Sequence, residues 1–432
     1  MRNPISTEKL YRHPAWALVA AFGTYFCMYG YRKPFTAATY SGSSFWGMDY
    51  KVLLVIAQTM GYVLAKWIGI KIISEIKPYQ RILLLSLLIW FAECMLLLFA
   101  LIPPPWNIVC IFLNGLPLGV VFGLILGFLE GRRNTEVLIA GLCASFIVSD
   151  GVSKSVGQLL LNVGIAEKWM PFMAGIVFTL PIIIFIFMLS RVPPPTTADR
   201  LSRSIRIPMN GKSRYDFFLK YALGLLGITL AYLLVTLMRS IRADFAPELW
   251  KDLGYPKTPA VFTQSEIWVS AGVVLMSALA VLFRNHQRAF QFALFSSVIG
   301  FVIILISVKI HNDGANSFLF MVLLGLGVYL PYVAIHTTIF ERLIAITRER
   351  ANIGFLMYIV DAVGYTGYII LILLKYFAPS NESILYLFLR VCTWLGVTGL
   401  LVIFFCIWYF KLKFKDNERR IAQLSGGTGG YI

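Results

Sequence analysis

Two arginines stand inside apolar stretches, where a charge is costly and therefore informative. In YFCMYGYRKPF, residues 25–35, Arg32 closes an apolar run and follows Tyr25 by seven residues. In YLLVTLMRS, residues 232–240, Arg239 follows Tyr232 by the same interval. Seven residues is about two helical turns, so each arginine shares a helix face with its tyrosine, and Tyr29 joins the first face. A guanidinium fork matches the paired oxygens of a carboxylate or phosphate. Two such forks brought together would repel one another, and an oxyanion between them would relieve that repulsion. The competing reading is that each arginine snorkels to a headgroup interface.

The elements that carry these arginines are membrane spans. Hydrophobic residues make up 58% of the 432 and charged residues only 14%, too little polar surface for a water-soluble chain of this length. A span needs roughly 20 apolar residues. Twelve stretches qualify, the first over 14–40, the eighth over 266–284 and the last over 384–410. The expected architecture is an all-α membrane protein with twelve transmembrane helices in two six-helix bundles. The bundles occupy 1–190 and 216–432, joined by a proline- and arginine-rich cytoplasmic linker over 191–215. The polar start MRNPISTEKLYRH leads straight into the first span, with no cleavable leader pattern.

A net charge of +17 suggests nucleic acid, but placement argues otherwise. Basic residues crowd the even-numbered connections and both termini, as in Arg132–Arg133, Arg200–Arg206 and Lys411–Arg420. The odd-numbered connections hold only scattered lysines such as Lys51, Lys168 and Lys309. The positive-inside rule then puts both termini in the cytoplasm of a cell-membrane protein, the inner membrane where an envelope has two. Gly211-Lys212-Ser213 looks like the end of a phosphate-binding loop, yet Arg206 stands where that loop needs glycine and no strand precedes it. The six cysteines lie in apolar stretches and read as small hydrophobes, not as disulfides or a metal set. No HExxH or GxSxG motif occurs, so an enzyme is not expected. No cofactor, metal or nucleic acid is expected either.

YFCMYGYRKPF resembles the first-helix segment of the organophosphate:phosphate antiporters of the major facilitator superfamily, the glycerol-3-phosphate and hexose-6-phosphate exchangers. GYVLAKWIG, with Tyr62 four residues before Lys66, is similar to that family's second helix. LMRSIRADFAP, with Asp244, Phe245 and Pro247, is similar to its seventh, and Tyr329-Leu330-Pro331 to a Tyr-x-Pro in its tenth. The resemblance implies a phosphate clamp at Arg32 and Arg239. It implies supporting roles for Tyr25, Tyr29, Lys33, Tyr62, Lys66 and Tyr329, and two halves that rock around a midplane site. The chain departs from the family pattern at Asp150, where a histidine is usual, and at Asp361, where a tyrosine is. Ser74 and Glu75 replace an Asp-Arg pair, and Lys154 and Arg242 are added cations.

Asp150 and Lys154 have the i,i+4 spacing of a helical ion pair, structural or functional. Asp361 shares a face with Tyr358 and Tyr365 in YIVDAVGY and is open to proton transfer, charge balance or an amine on the substrate. His336 reads as an interior hydrogen-bonded histidine or a coupling group. The expected function is secondary transport of a small anionic, phosphorylated organic solute by a monomer among membrane lipid. Inorganic phosphate or a proton would serve as counter- or co-ion. A transporter-like receptor and a proton symporter of another organic anion are the alternatives.

Overall fold

The computed structural model describes residues 11, 13–76, 80–129, 132, 135–194, 218–256, 258–314, 316–347, 353–377 and 383–426. The linker expected over 191–215 lies outside these beyond residue 194, as do residues 1–10. The described residues are helical almost throughout. The principal helices are α1 (Pro14–Met28), α2 (Tyr50–Glu75), α3 (Gln80–Leu101), α4 (Ile108–Leu129), α5 (Thr135–Asn162) and α6 (Met170–Ser190). They continue as α7 (Ala222–Asp244), α8 (Pro259–Val281), α9 (His286–Asn312), α10 (Ser317–Thr347), α11 (Ile353–Phe377) and α12 (Ile384–Gly426). Among the described residues, eleven helices, α2 to α12, are long and apolar enough to cross a membrane.

α1 is the exception, and the difference matters for function. The expected span over 14–40 is helical for only 15 residues, then narrows into 3₁₀ turns at Tyr29–Tyr31 and Pro34–Ala37. Pro34 has no N–H for the carbonyl four residues back, and its ring crowds that carbonyl, so the α-helix cannot run through. Gly30 lets the broken segment lie flat against α6: a Cβ there would stand 2.0 Å from the Phe178 ring. α8 also departs from expectation. It starts seven residues earlier than 266, because Pro259 suits the first turn of a helix and draws the polar segment Thr263–Glu266 into it.

Packing sorts the helices. α1 lies against α4, α5 and α6, α2 against α4, and α3 against α4 and α6. α7 lies against α10, α11 and α12, α8 against α10, and α9 against α10 and α12. Two seams join the groups, α5 with α8 and α2 with α11. α3, α6 and α12 are the least covered and present Leu83, Trp90, Leu180, Ile183, Trp394 and Leu401 outward. Apolar faces of that extent belong in lipid, so this is a multi-pass membrane protein. α2 and α4 meet backbone to backbone, since a Cβ on Gly115 would stand 2.3 Å from the Gln58 carbonyl.

Candidate functional site

The break in α1 places Arg32 inside the molecule and leaves two carbonyls without helical partners. Asn114 of α4 donates from Nδ2 to the Tyr31 carbonyl at 3.1 Å and to the Ala92 carbonyl at 3.0 Å. Gln58 of α2 donates from Nε2 to the Arg32 carbonyl at 2.8 Å and to Asn114 Oδ1 at 3.0 Å. Both amides are buried, and buried carbonyls need such partners. Asn114 and Gln58 therefore hold the backbone from which Arg32 projects. Neither is singled out by the sequence reading; the signal available was a lone amide in the middle of each apolar span.

Arg32 and Arg239 line one narrow cleft with Lys33, Gln58, Asp244 and Tyr365. Each arginine is 6% exposed. The Arg32 guanidinium lies 3.9 Å from the centre of the Tyr62 ring, and Tyr29 is 5.5 Å away. Arg239 lies 4.7 Å from the Tyr332 ring centre and donates from Nη2 to Tyr365 Oη at 2.8 Å. Tyr62 and Tyr365 meet edge to face at 4.9 Å, linking the two arginine environments. The cleft holds about 10 Å³, room for about one water. Its walls must part before a larger ligand can enter.

The charge pattern around the cleft is selective. Lys33 pairs with Asp244, Lys51 with Glu248, Lys66 with Asp361, Lys154 with Asp150, and Arg242 with Glu266. Among the described residues neither Arg32 nor Arg239 has a carboxylate partner, and the Nε of each is buried without a hydrogen bond. An uncompensated buried charge costs about 3–5 kcal/mol. A desolvated cation–π contact returns about 2 kcal/mol. Each arginine lies over two tyrosine rings, which offset much of that cost but supply no negative charge.

The other candidate residues fall into three places. Tyr62 touches the cleft through Arg32. Lys66 extends from it: its Nζ is 2.8 Å from Asp361 and 5.0 Å from the Tyr62 ring. Asp361 also accepts from Tyr232 and lies 3.5 Å from His336 Nε2. His336 sits in a π-helical stretch of α10, Ile335–Ile339, with Nδ1 3.2 Å from the Tyr332 carbonyl. A helix with five-residue spacing is uncommon and is often found at functional sites. Asp361 thus has partners from three other helices, which its own neighbourhood in sequence does not reveal.

Tyr25 and Tyr329 lie behind the cleft. Tyr25 packs against Tyr29, Phe122 and Phe146, and Tyr329 against Phe146 and Tyr332. Asp150, Lys154 and Arg242 belong to a separate pocket at the α5–α8 seam. Tyr365 and Glu266 are not among the expected site residues; Glu266 stands at the boundary of its expected span, where a carboxylate reads as a helix end.

The crystal structure of a D-xylose-proton symporter superposes on this chain with a TM-score of 0.60. It covers 90% of this chain and 96% of the other, at 13% sequence identity. Likeness at that identity concerns the fold alone, which this chain shares with that symporter. No curated protein matches the chain. A model for a family of unknown function, DUF5690, matches residues 34–413, from Pro34 at the break in α1 to the lysine-rich end of α12. The chain belongs to the DUF5690 family.

Proposed function

We propose that the protein is a secondary transporter of a small organic anion, phosphorylated at the group held by Arg32 and Arg239. The observation that carries this reading is the pair of buried guanidiniums in one cleft, without a carboxylate partner among the described residues, while the neighbouring Lys33 and Lys66 each have one. Guanidinium forks suit the tetrahedral, multiply charged oxygens of a phosphoryl group, and each Nε–H is free to complete such a contact. Tyr365 would orient Arg239, and Asn114 with Gln58 would hold Arg32.

Transport would proceed by rocking of the α1–α6 group against α7–α12. Lys33–Asp244, Lys51–Glu248 and the Ser155–Thr263 contact (2.6 Å) seal the end of the molecule where α1 finishes and α8 begins. In the first two pairs the cation comes from the first group and the carboxylate from the second. An incoming anion would compete with the carboxylates for the neighbouring cations and so loosen that seal. The buried Lys66–Asp361 pair balances charge at the other side of the cleft. A sugar–proton symport reading, taken from the D-xylose-proton symporter of similar fold, leaves the two arginines uncompensated. A receptor that binds without transport keeps the same clamp.

Purified protein in liposomes loaded with inorganic phosphate tests the proposal. External glycerol phosphate or hexose phosphate should exchange for internal phosphate, and Arg32→Lys and Arg239→Lys should each abolish most of that exchange. Binding without exchange would favour the receptor reading. Neither binding nor exchange of any phosphorylated solute would overturn both.

A further inference from the structure

The α5–α8 seam holds a second buried polar pocket, lined by Asp150, Gly151, Lys154, Arg242, Glu266 and Met321. Its charged side chains come from both groups of helices. On α5, Lys154 pairs with one oxygen of Asp150, leaving Asp150 Oδ1 buried without a partner. Across the seam, Arg242 of α7 pairs with one oxygen of Glu266 of α8, leaving Glu266 Oε2 buried without a partner. Asp150 is 3% and Glu266 5% exposed. The helices touch here: a Cβ on Gly151 would stand 2.5 Å from the Phe262 carbonyl and 2.8 Å from Glu266 Cγ. Two carboxylates from opposite sides, each with one orphaned oxygen, thus line one pocket of about 10 Å³.

Two buried acceptors without partners on either side of one pocket are a costly arrangement, and a single proton shared between them removes the cost. We infer that Asp150 and Glu266 form a proton-binding pair across the seam, and that this proton latches α5 to α8. One proton taken from water adds to Glu266 Oε2, and the resulting O–H donates to Asp150 Oδ1. The other charged and titratable groups within reach are Lys154, Arg242, Tyr329 of α10, and the Lys33–Asp244 and Lys51–Glu248 pairs beside Lys154. Taken together, three lysines and one arginine balance the four carboxylates, so the added proton brings one positive charge to the closed seam. The protonated pair favours the closed seam. When the proton leaves, both oxygens are left without a donor and gain by opening to water, so closure weakens as pH rises.

This deepens the transporter reading by naming a proton as the co-ion that works the seal, yet its test needs no transported solute. Spin labels at Val163→Cys and Lys251→Cys, exposed positions on opposite sides of the seam, report its width by pulsed electron resonance. In otherwise native protein the distance should shift from a short to a longer population across a rising pH series. Glu266→Gln places a permanent N–H donor opposite Asp150 and should hold the short distance at every pH. Asp150→Asn should do the same from the other side. A seam that ignores pH in the native protein, or widens with pH equally in both amide variants, would overturn the inference, whether or not phosphate binds at the arginines. A variant that does not fold is set aside by its thermal unfolding profile, and its partner variant decides.

Discussion

Replacing Asn114 with leucine, a side chain of similar size and shape, removes three hydrogen bonds, one of them to the backbone that carries Arg32. The Tyr31 carbonyl loses its donor, Gln58 loses one of two acceptors, and the Ala92 carbonyl loses an added partner. The Ala92 loss is slight, because that carbonyl lies within α3 and retains its helical bond. An orphaned buried group costs about 1–3 kcal/mol. Polar contacts inside membrane proteins average about 0.6 and reach about 1.7 kcal/mol, because the unfolded chain in lipid also finds partners. The sum for one orphaned carbonyl and one weakened amide is about 2 kcal/mol. Part of that loss should appear as freedom of the Tyr29–Arg32 turns, so phosphate affinity should fall at least about tenfold, equivalent to about 1.4 kcal/mol. The assay is thermal unfolding in detergent together with titration calorimetry against inorganic phosphate. A variant with native unfolding temperature and native affinity would refute the idea that Asn114 positions the arginine.

Three further outcomes are expected. Asp361→Asn leaves Lys66 buried without its carboxylate, and should destabilise the protein by about 3–5 kcal/mol, read by thermal unfolding. If Asp361 balances charge, the same variant should bind phosphate at least as tightly and exchange it slowly; normal exchange with failed accumulation against a gradient would instead mark it as a proton carrier. Gly151→Val should hold α5 away from α8, since the added atoms meet the Phe262 backbone as well as the Glu266 side chain, and should raise the solvent accessibility of a cysteine placed at Ser155. Tyr365→Phe should weaken phosphate binding by a few-fold while leaving unfolding nearly unchanged, because it removes one hydrogen bond to Arg239 and keeps the ring against Tyr62.

Much of the fold was legible because lipid imposes one rule on every span: about 20 apolar residues and internally satisfied backbone. The break in α1 was not, although Pro34 announces it, because the apolar run continues past the proline and span length alone treats it as uninterrupted. Arg32 and Arg239 stood out, since an arginine in an apolar stretch is costly and their tyrosine spacing repeats. Their lack of carboxylate partners was not legible. It depends on Asp244, Glu248, Asp361, Asp150 and Glu266 all being taken by other cations, and all but one of those pairs join different helices. The Asp150–Lys154 pair, local in sequence, was the one ion pair the spacing named in advance. Asn114 and Gln58 were visible as lone amides, but the carbonyls they serve exist only because α1 is broken.

The central claim is that Arg32 and Arg239 together hold one anion, and calorimetric titration of inorganic phosphate tests it most directly. The native protein should bind one phosphate per chain. Arg32→Lys and Arg239→Lys each keep the charge but lose at least one charge-assisted hydrogen bond, worth about 1.5–3 kcal/mol, so each should bind about 10- to 150-fold more weakly. The double variant should show no heat above dilution. Lysine variants that bind phosphate as tightly as the native protein would place the anion elsewhere and contradict the account.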